Sequence, residues 1–295
     1  MAEPALAVHG GAGPLPREPF DPEPSDQALR AALDAGWARL SGGGALDAAQ
    51  AAVEVLEDAP PFNAGRGSVL TAAGTVEMDA AVMSGADRRA GAVACVTRVR
   101  HPVALARAAM ERTPHVLVSG RGAERLAEEL DLELMKPDWF VTASERERLA
   151  RRLATAAEQG GGTVGAVARD SGGALAAATS TGGVRGQLPG RVGDSPLIGA
   201  GTYADELCAV SATGAGEALI RAVAAHELAS LVRLGGMPLA EAAEVVLRER
   251  VEPLGGSAGL IAIGVHGPPV LPFTTSAMYR GWRAGEDRPR TAVGA

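Results

Sequence analysis

Glycine sets the tightest limits on this chain. Of 295 residues, 39 are glycine, about 13% against a usual ~7%. They fall in clusters: His9-Gly-Gly-Ala-Gly13, Gly42 to Gly44, Gly160 to Gly162, Gly172-Gly173, Gly182-Gly183 and Gly199-Ala-Gly201. Such clusters are poor interiors for helices or strands and mark turns or close backbone approaches. Between them the apolar periodicity changes. Leu6–Val8 reads as a short strand. Leu29, Leu33, Gly36, Trp37 and Leu40 recur at helical spacing and predict a helix over 27–40, followed by helices over 46–57, 103–112, 121–131, 216–234 and 238–250. Short β-prone runs lie at 68–71, 75–83, 91–99, 207–211, 259–265 and 269–273, and the runs at 164–168 and 174–179 flank a Ser171-Gly-Gly173 turn as a hairpin. Residues 14–24 hold five prolines and read as loop. Residues 136–162 are irregular, then charged and Arg-rich with helical character over 145–159, and end in glycines, as a linker would. Strands and helices come in blocks, which predicts an α+β fold with helices covering antiparallel sheets.

Composition removes several functions. A net charge of −7 and 3% aromatic residues leave neither an electrostatic footprint nor stacking platforms for nucleic acid. No run of 18 apolar residues spans a membrane, and Met1-Ala2-Glu3-Pro4 opens no secretory signal, so a cytoplasmic protein is expected. Cys95 and Cys208 have no partner spacing and read as buried thiols of a reducing compartment. Lys136 is the sole lysine, which excludes a P-loop and leaves Schiff-base chemistry almost nothing to work with.

Three motifs fail on inspection. Gly255-Gly-Ser257-Ala-Gly259 matches a nucleophile elbow, but His266 precedes Asp287 and stands nine residues from the serine, too near for the intervening elements of an α/β-hydrolase. Gly214-Ala-Gly216 sits between a strand and a helix but lacks the third glycine and the acidic strand end of a dinucleotide site. It still suits an anion such as a carboxylate. His9, His101, His115, His226 and His266 are scattered without metal-ligand spacing.

The fourth motif is Gly162-Thr163-Val164-Gly165, at the junction of linker and hairpin. Alone it is a turn beside a strand-favouring threonine. Downstream, however, run Ser180-Thr181-Gly182-Gly183, Gly190-Arg191-Val-Gly193-Asp194-Ser-Pro196, and Ser211-Ala-Thr213-Gly214-Ala-Gly216-Glu217. Together with His9 to Gly13, Phe62-Asn63-Ala64-Gly65, Asp79-Ala80 and Met278-Tyr-Arg-Gly281, this series resembles the plant-type asparaginases and isoaspartyl peptidases, which are N-terminal-nucleophile hydrolases. The resemblance runs nearly end to end. The second glycine after Thr181 and the Gly before Thr163 separate it from glycosylasparaginases.

The resemblance implies one four-layer αββα domain over 1–295, cut between Gly162 and Thr163 into chains 1–162 and 163–295. Thr163 would be the nucleophile and its freed α-amine the base. An α-amine has a pKa near 7.7–8.0 against about 10.4 for lysine, so roughly a third is free base near pH 7.5. Thr181 would orient the Thr163 hydroxyl, and Asn63 would lie close to it. The Thr213 hydroxyl and Gly214 amide would hold the oxyanion. Arg191, with the Gly216 amide, would clamp an α-carboxylate, and Asp194 would take an α-ammonium. Taken alone, that last segment reads more simply as an Arg191–Asp194 ion pair. The substrates implied are L-asparagine and β-aspartyl dipeptides, since glutamine is one methylene too long for the clamp, a mismatch of about 1–3 kcal/mol. No catalytic cofactor is implied. A structural sodium ion would sit on the carbonyls of Leu56, Glu57, Ala59, Phe62, Ala64 and Arg66, and two heterodimers would pair. The other readings are a glycosylasparaginase-like amidase and a non-cleaving amino-acid-binding homologue. Two departures stand out: Val184-Arg-Gly-Gln187 where relatives often carry Asn-Lys, and the short 136–162 linker. They bear on leaving-group preference and on the speed of maturation.

Overall fold

The apolar runs pair into two sheets. The computed structural model describes residues 2–14, 20–40, 42, 44–155 and 162–294. Its strands are β1 (Ala5–Gly13), β2 (Met78–Ser84), β3 (Ala90–Val96), β4 (Leu117–Ser119), β5 (Val164–Arg169), β6 (Leu175–Thr181), β7 (Thr202–Ala204), β8 (Cys208–Gly214), β9 (Ala258–Gly264), β10 (Ala277–Ala284) and β11 (Arg290–Gly294). Among the described residues the larger sheet runs β11-β10-β1-β5-β6-β2-β3-β4 and the smaller one β7-β8-β9. Every pair is antiparallel except β3–β4, which is parallel. The α+β expectation holds, with that one parallel edge added.

Strand alternation divides the core in two. On β1, Leu6 and Val8 pack with Leu29 and Leu33 of α1 (Glu23–Leu40) and Val53 and Leu56 of α2 (Ala45–Glu57). Ala5 and Ala7 face the opposite way, into a core with Val210, Ile261 and Ile263 of the small sheet and with Leu228 and Leu247. All of β5 and β6 is buried, as strands covered on both faces must be. Their alanine-rich sequences let the neighbouring layers approach. α3 (Pro102–Arg112) follows β3, and α4 (Gly120–Glu129), α5 (Pro137–Phe140) and α6 (Ala143–Thr155) complete the first half. No helix among the described residues is long and apolar enough to cross a membrane.

The elements depart from expectation in instructive places. The helix expected over 216–234 is two: α7 (Gly216–Ala222) and α8 (Ala224–Gly235), broken at Val223 in a left-handed conformation, φ 49°. The first N–H groups of α8 donate to the carbonyls of Ala200 and Gly199, at 3.1 and 2.8 Å, so the chain must turn to meet them. Apolar periodicity is blind to such a stop. The helix over 238–250 begins as α9 (Leu239–Val245) and widens into a π turn over Val246–Val251. Residues 68–71 form no strand, and 269–273 contributes only isolated bridges at Val270 and Phe273. Strands β4, β7, β10 and β11 were not foreseen. β10 mixes Arg, Gly and aromatic residues, which hides its alternation. The helix expected over 145–159 is α6 as far as Thr155; residues 156–161 and 15–19 of the two expected loops lie outside the described residues.

A β-branched residue in the left-handed region costs roughly 1–2 kcal/mol. Val223→Gly is therefore expected to stabilise the fold by about 1 kcal/mol, even after glycine's greater unfolded-state freedom is counted, read as a higher urea midpoint at unchanged slope.

Candidate active site

Strand register assembles the site. Val164 pairs with Ser180, which sets Thr163 beside Thr181, and His9 pairs with Gly165 just where β1 bulges between His9 and Gly11. Gly11 has φ +114°, and a Cβ there would stand 3.3 Å from the Gly162 Cα and 3.5 Å from the Thr163 nitrogen. The glycine pair of β1 thus lets that strand lie against the Gly162–Thr163 peptide. A pocket of about 240 Å³ opens here, lined by Thr163, Thr181, Arg191, Asp194, Gly214 and Gly216 among others.

The Gly162 carbonyl oxygen accepts two hydrogen bonds, from the Asn63 amide at 2.7 Å and the Thr181 hydroxyl at 2.9 Å. Asn63 has no freedom to turn over. Its oxygen accepts the Val69 N–H at 2.7 Å, so its NH2 faces Gly162 and the Gly183 carbonyl. The Thr163 hydroxyl donates to Thr181 Oγ1 at 3.2 Å, and the Gly183 N–H donates to the same oxygen at 3.0 Å. Two hydroxyls and a carbonyl thus lie in one hydrogen-bonded line. Thr213 and Asn63 are buried rather than on the pocket wall; the Thr213 oxygen accepts the N–H of Ala12, which does line it, at 3.3 Å. That leaves the Thr213 proton to donate elsewhere.

Across the pocket, Arg191 and Asp194 converge on Gly216. A Cβ on Gly216 would stand 2.8 Å from Arg191 Nη2 and 2.9 Å from Asp194 Oδ1, so a side chain there would close the space between them. The Arg191–Asp194 ion pair that the segment alone would suggest is not formed. Arg191 Nε instead donates to Glu217 at 2.8 Å, and Nη1 donates to Gln187 at 3.2 Å. Those bonds fix the guanidinium plane and leave an N–H edge free for a planar carboxylate. Asp194 is buried with Oδ2 unpartnered. Burial pushes its pKa up to about 7, against the opposing pull of its own backbone N–H and of Arg191. A buried carboxylate with an unpartnered oxygen favours a cation beside it.

The chain matches the family model described as asparaginase over residues 2–293. It belongs to the asparaginase family. It is 47% identical to the isoaspartyl peptidase of Salmonella typhimurium, covering 99% of each chain. It is 42% identical to the isoaspartyl peptidase/L-asparaginase of Rattus norvegicus, covering 92% of this chain and 84% of that one. The plant-type L-asparaginase of Thermococcus kodakarensis is 40% identical over 98% of this chain and 99% of its own.

In this asparaginase-family chain the loop from Leu56 to Arg66 was expected to offer carbonyls to sodium. The Glu57 carbonyl turns toward Gly65 and the Phe62 carbonyl toward Gly67, each so close that a Cβ would collide. Leu56, Glu57 and Ala59 oxygens already accept N–H groups from Ala59, Arg66 and Phe62, and a carbonyl keeps a second lone pair. An all-oxygen set of this kind suits a hard cation. Among the described residues no group of three His, Cys, Asp or Glu side chains is placed to hold a metal. Ser257 does line the pocket, and its carbonyl accepts the Ala215 N–H. Gln187 and Glu217, which orient Arg191, escaped the sequence reading. Glu217 stood at the end of a quoted motif, but nothing in its spacing pointed to Arg191.

Two expectations follow for turnover of asparagine. Glu217→Gln should raise KM roughly fivefold with kcat within about twofold, as loss of ~1 kcal/mol of guanidinium orientation predicts. Binding of an ammonium needs Asp194 ionised. With its pKa near 7, the ionised share rises about tenfold from pH 6 to pH 8, so KM should fall about tenfold across that window, measured by steady-state kinetics.

Proposed function

We propose that this chain is a self-processing isoaspartyl (β-aspartyl) peptidase with L-asparaginase activity. The observation that carries the reading is the grip of Asn63 and Thr181 on the Gly162 carbonyl, with the Thr163 hydroxyl next in line. In processing, Thr163 Oγ attacks the Gly162 carbonyl carbon. Its proton passes to the Thr181 oxygen as Thr181 hands its own proton to the Gly162 oxygen, toward which the Asn63 amide also donates. That proton then goes to the Thr163 nitrogen as the C–N bond breaks. The Thr163 nitrogen leaves with a proton, giving an ester between Gly162 and Thr163 Oγ. Water hydrolyses the ester to a Gly162 carboxylate and a free Thr163 α-amine.

That amine then acts as base for its own hydroxyl. Arg191 and the Gly216 amide take the substrate α-carboxylate and Asp194 the α-ammonium, which sets the side-chain carbonyl one methylene away, against Thr163. The attack forms a tetrahedral intermediate whose oxyanion is met by the Thr213 hydroxyl and the Gly214 N–H. The amine returns the proton to the leaving nitrogen, which departs as ammonia or as an amino acid. Water releases aspartate from the acyl-enzyme. Selectivity for the β-linked carbonyl follows from the fixed span between clamp and nucleophile.

The same reading takes the two cores on either face of β1 as layers of an αββα sandwich over 1–295, cut into 1–162 and 163–295 and pairing as a dimer of heterodimers. The carbonyls of Leu56, Glu57, Ala59, Phe62, Ala64 and Arg66 would hold a sodium ion, which would stiffen the turn carrying Asn63. Catalysis itself asks for no cofactor.

Purified protein kept at neutral pH should resolve by mass spectrometry into fragments ending at Gly162 and beginning at Thr163, with asparaginase activity rising in step. Thr163→Ala should remain whole and inert. An active, unbroken chain would overturn the mechanism and favour a different nucleophile; a whole, inactive wild-type chain that binds aspartate would make it a binding protein.

A further inference from the structure

A row of buried polar side chains runs from Thr163 away from the pocket, across both sheets. His9 Nδ1 lies 2.8 Å from the Thr163 carbonyl oxygen, and His9 Nε2 lies 2.9 Å from Ser211 Oγ. Ser211 Oγ is 2.7 Å from Thr179 Oγ1, and the Thr202 hydroxyl has two acceptors in reach, Thr179 Oγ1 at 2.7 Å and the Ser195 carbonyl at 2.9 Å. His9, Thr179, Ser211 and Thr202 are all fully buried. From His9 to Thr179 the row admits one arrangement of protons. A carbonyl oxygen only accepts, so Nδ1 must carry the hydrogen; the other tautomer would set two lone pairs face to face at 2.8 Å. Nε2 is then an acceptor and takes the Ser211 proton. Ser211 in turn accepts from Thr179, so both hydroxyls point their hydrogens toward His9, an arrangement in which each bond polarises the next. Burial also depresses the imidazole pKa to about 3, so the ring is neutral.

Space for this contact is reserved by Gly165. A Cβ there would stand 2.0 Å from Ser211 Oγ and 2.4 Å from His9 Nε2. The closing glycine of Gly162-Thr-Val-Gly165 thus serves the histidine.

We infer that His9 is a positioning residue that anchors the nucleophile through the Thr163 carbonyl once the chain is cut. This rests on the functional reading above. Scission frees Thr163 on its N-terminal side. Its backbone lies one residue outside β5, and the hydrogen bond its carbonyl accepts comes from the His9 ring rather than from a ladder partner. Chain ends fray unless tied, and a misplacement of about 1 Å can cost ~100-fold in rate. The His9 donor supplies the tie, and the hydroxyl row holds the ring in the tautomer that can donate.

Two substitutions separate this role from packing. His9→Asn sets an amide N–H where Nδ1–H stands, whereas His9→Gln sets its donor at the Nε2 position, facing Ser211. On matured protein, kcat should stay within about threefold for His9→Asn and fall ~100-fold for His9→Gln, with KM for asparagine within about twofold in both, because His9 does not touch Arg191 or Asp194. Where a variant remains whole, the rate of its self-cleavage should follow the same order. Equal losses in both, or no loss in either, would refute the role. Nitrogen-15 NMR of the wild-type enzyme gives a second reading: a neutral ring at pH 5 with its proton on Nδ1 is expected, and a proton on Nε2 or a charged ring would overturn the proposal. A wild-type chain that is never cut defeats the functional reading itself. One that is cut and active while the two variants behave alike defeats only His9.

Discussion

The hold of two side chains on one peptide oxygen organises the rest of this molecule. Asn63 comes from the first half of the chain and Thr181 from the second, and each is constrained by further bonds before it reaches Gly162. Asn63 is fixed by the Val69 amide; Thr181 ends a strand whose register is set by pairing on both sides. Neither group would need to reorganise as the proposed self-cleavage put charge on the oxygen they face, which is what makes preorganised donors effective. The strand order, the β1 bulge and the small residues of β5 and β6 all serve to bring these donors and the Thr163 hydroxyl within reach of one another.

The other wall of the pocket works by unbalanced charge. Asp194 is buried without a counter-ion on one oxygen, an expensive state that raises its pKa. Asp79 behind it is also buried, which raises its pKa to about 6, opposed by N–H groups donated from Cys95 and Gly193. Asp79 thereby fastens the segment that presents Asp194 to the bulge between β2 and β3. Arg191 meanwhile spends its Nε on Glu217 and a second N–H on Gln187, and so keeps a defined face toward the cavity. A zwitterion would satisfy both walls at once, whereas a simple anion or cation would satisfy one.

Much of this was legible in the residue pattern, and the failures share a cause. Helices α1 and α2 and the β5–β6 hairpin announced themselves because one element supplies the whole signal. Thr163, Thr181, Arg191, Asp194, Gly214 and Gly216 were recognised as a series and do line one pocket. What stayed hidden depends on a distant partner. Val223 breaks a helix because Gly199 and Ala200, far back in the chain, offer carbonyls. Glu217 and Gln187 acquire meaning only once Arg191 lies between them. His9 shows no metal-ligand spacing, and nothing local reveals a ring pressed against a residue 154 positions away.

The strand order has a mechanical consequence. Reading across the larger sheet, β11 and β10 come from beyond Thr163, β1 from before it, β5 and β6 from beyond it again, and β2, β3 and β4 from before. Two pieces cut at Gly162, as proposed, would therefore be braided: each would contribute strands hemmed in by the other, and neither would own a complete hydrophobic interior. At the rim, Glu145 of α6 adds a two-pronged grip on Arg185 of the later piece. A nicked molecule of this weave cannot come apart without tearing its own sheet, so it should melt as a single body and gain a new chain end without losing cohesion.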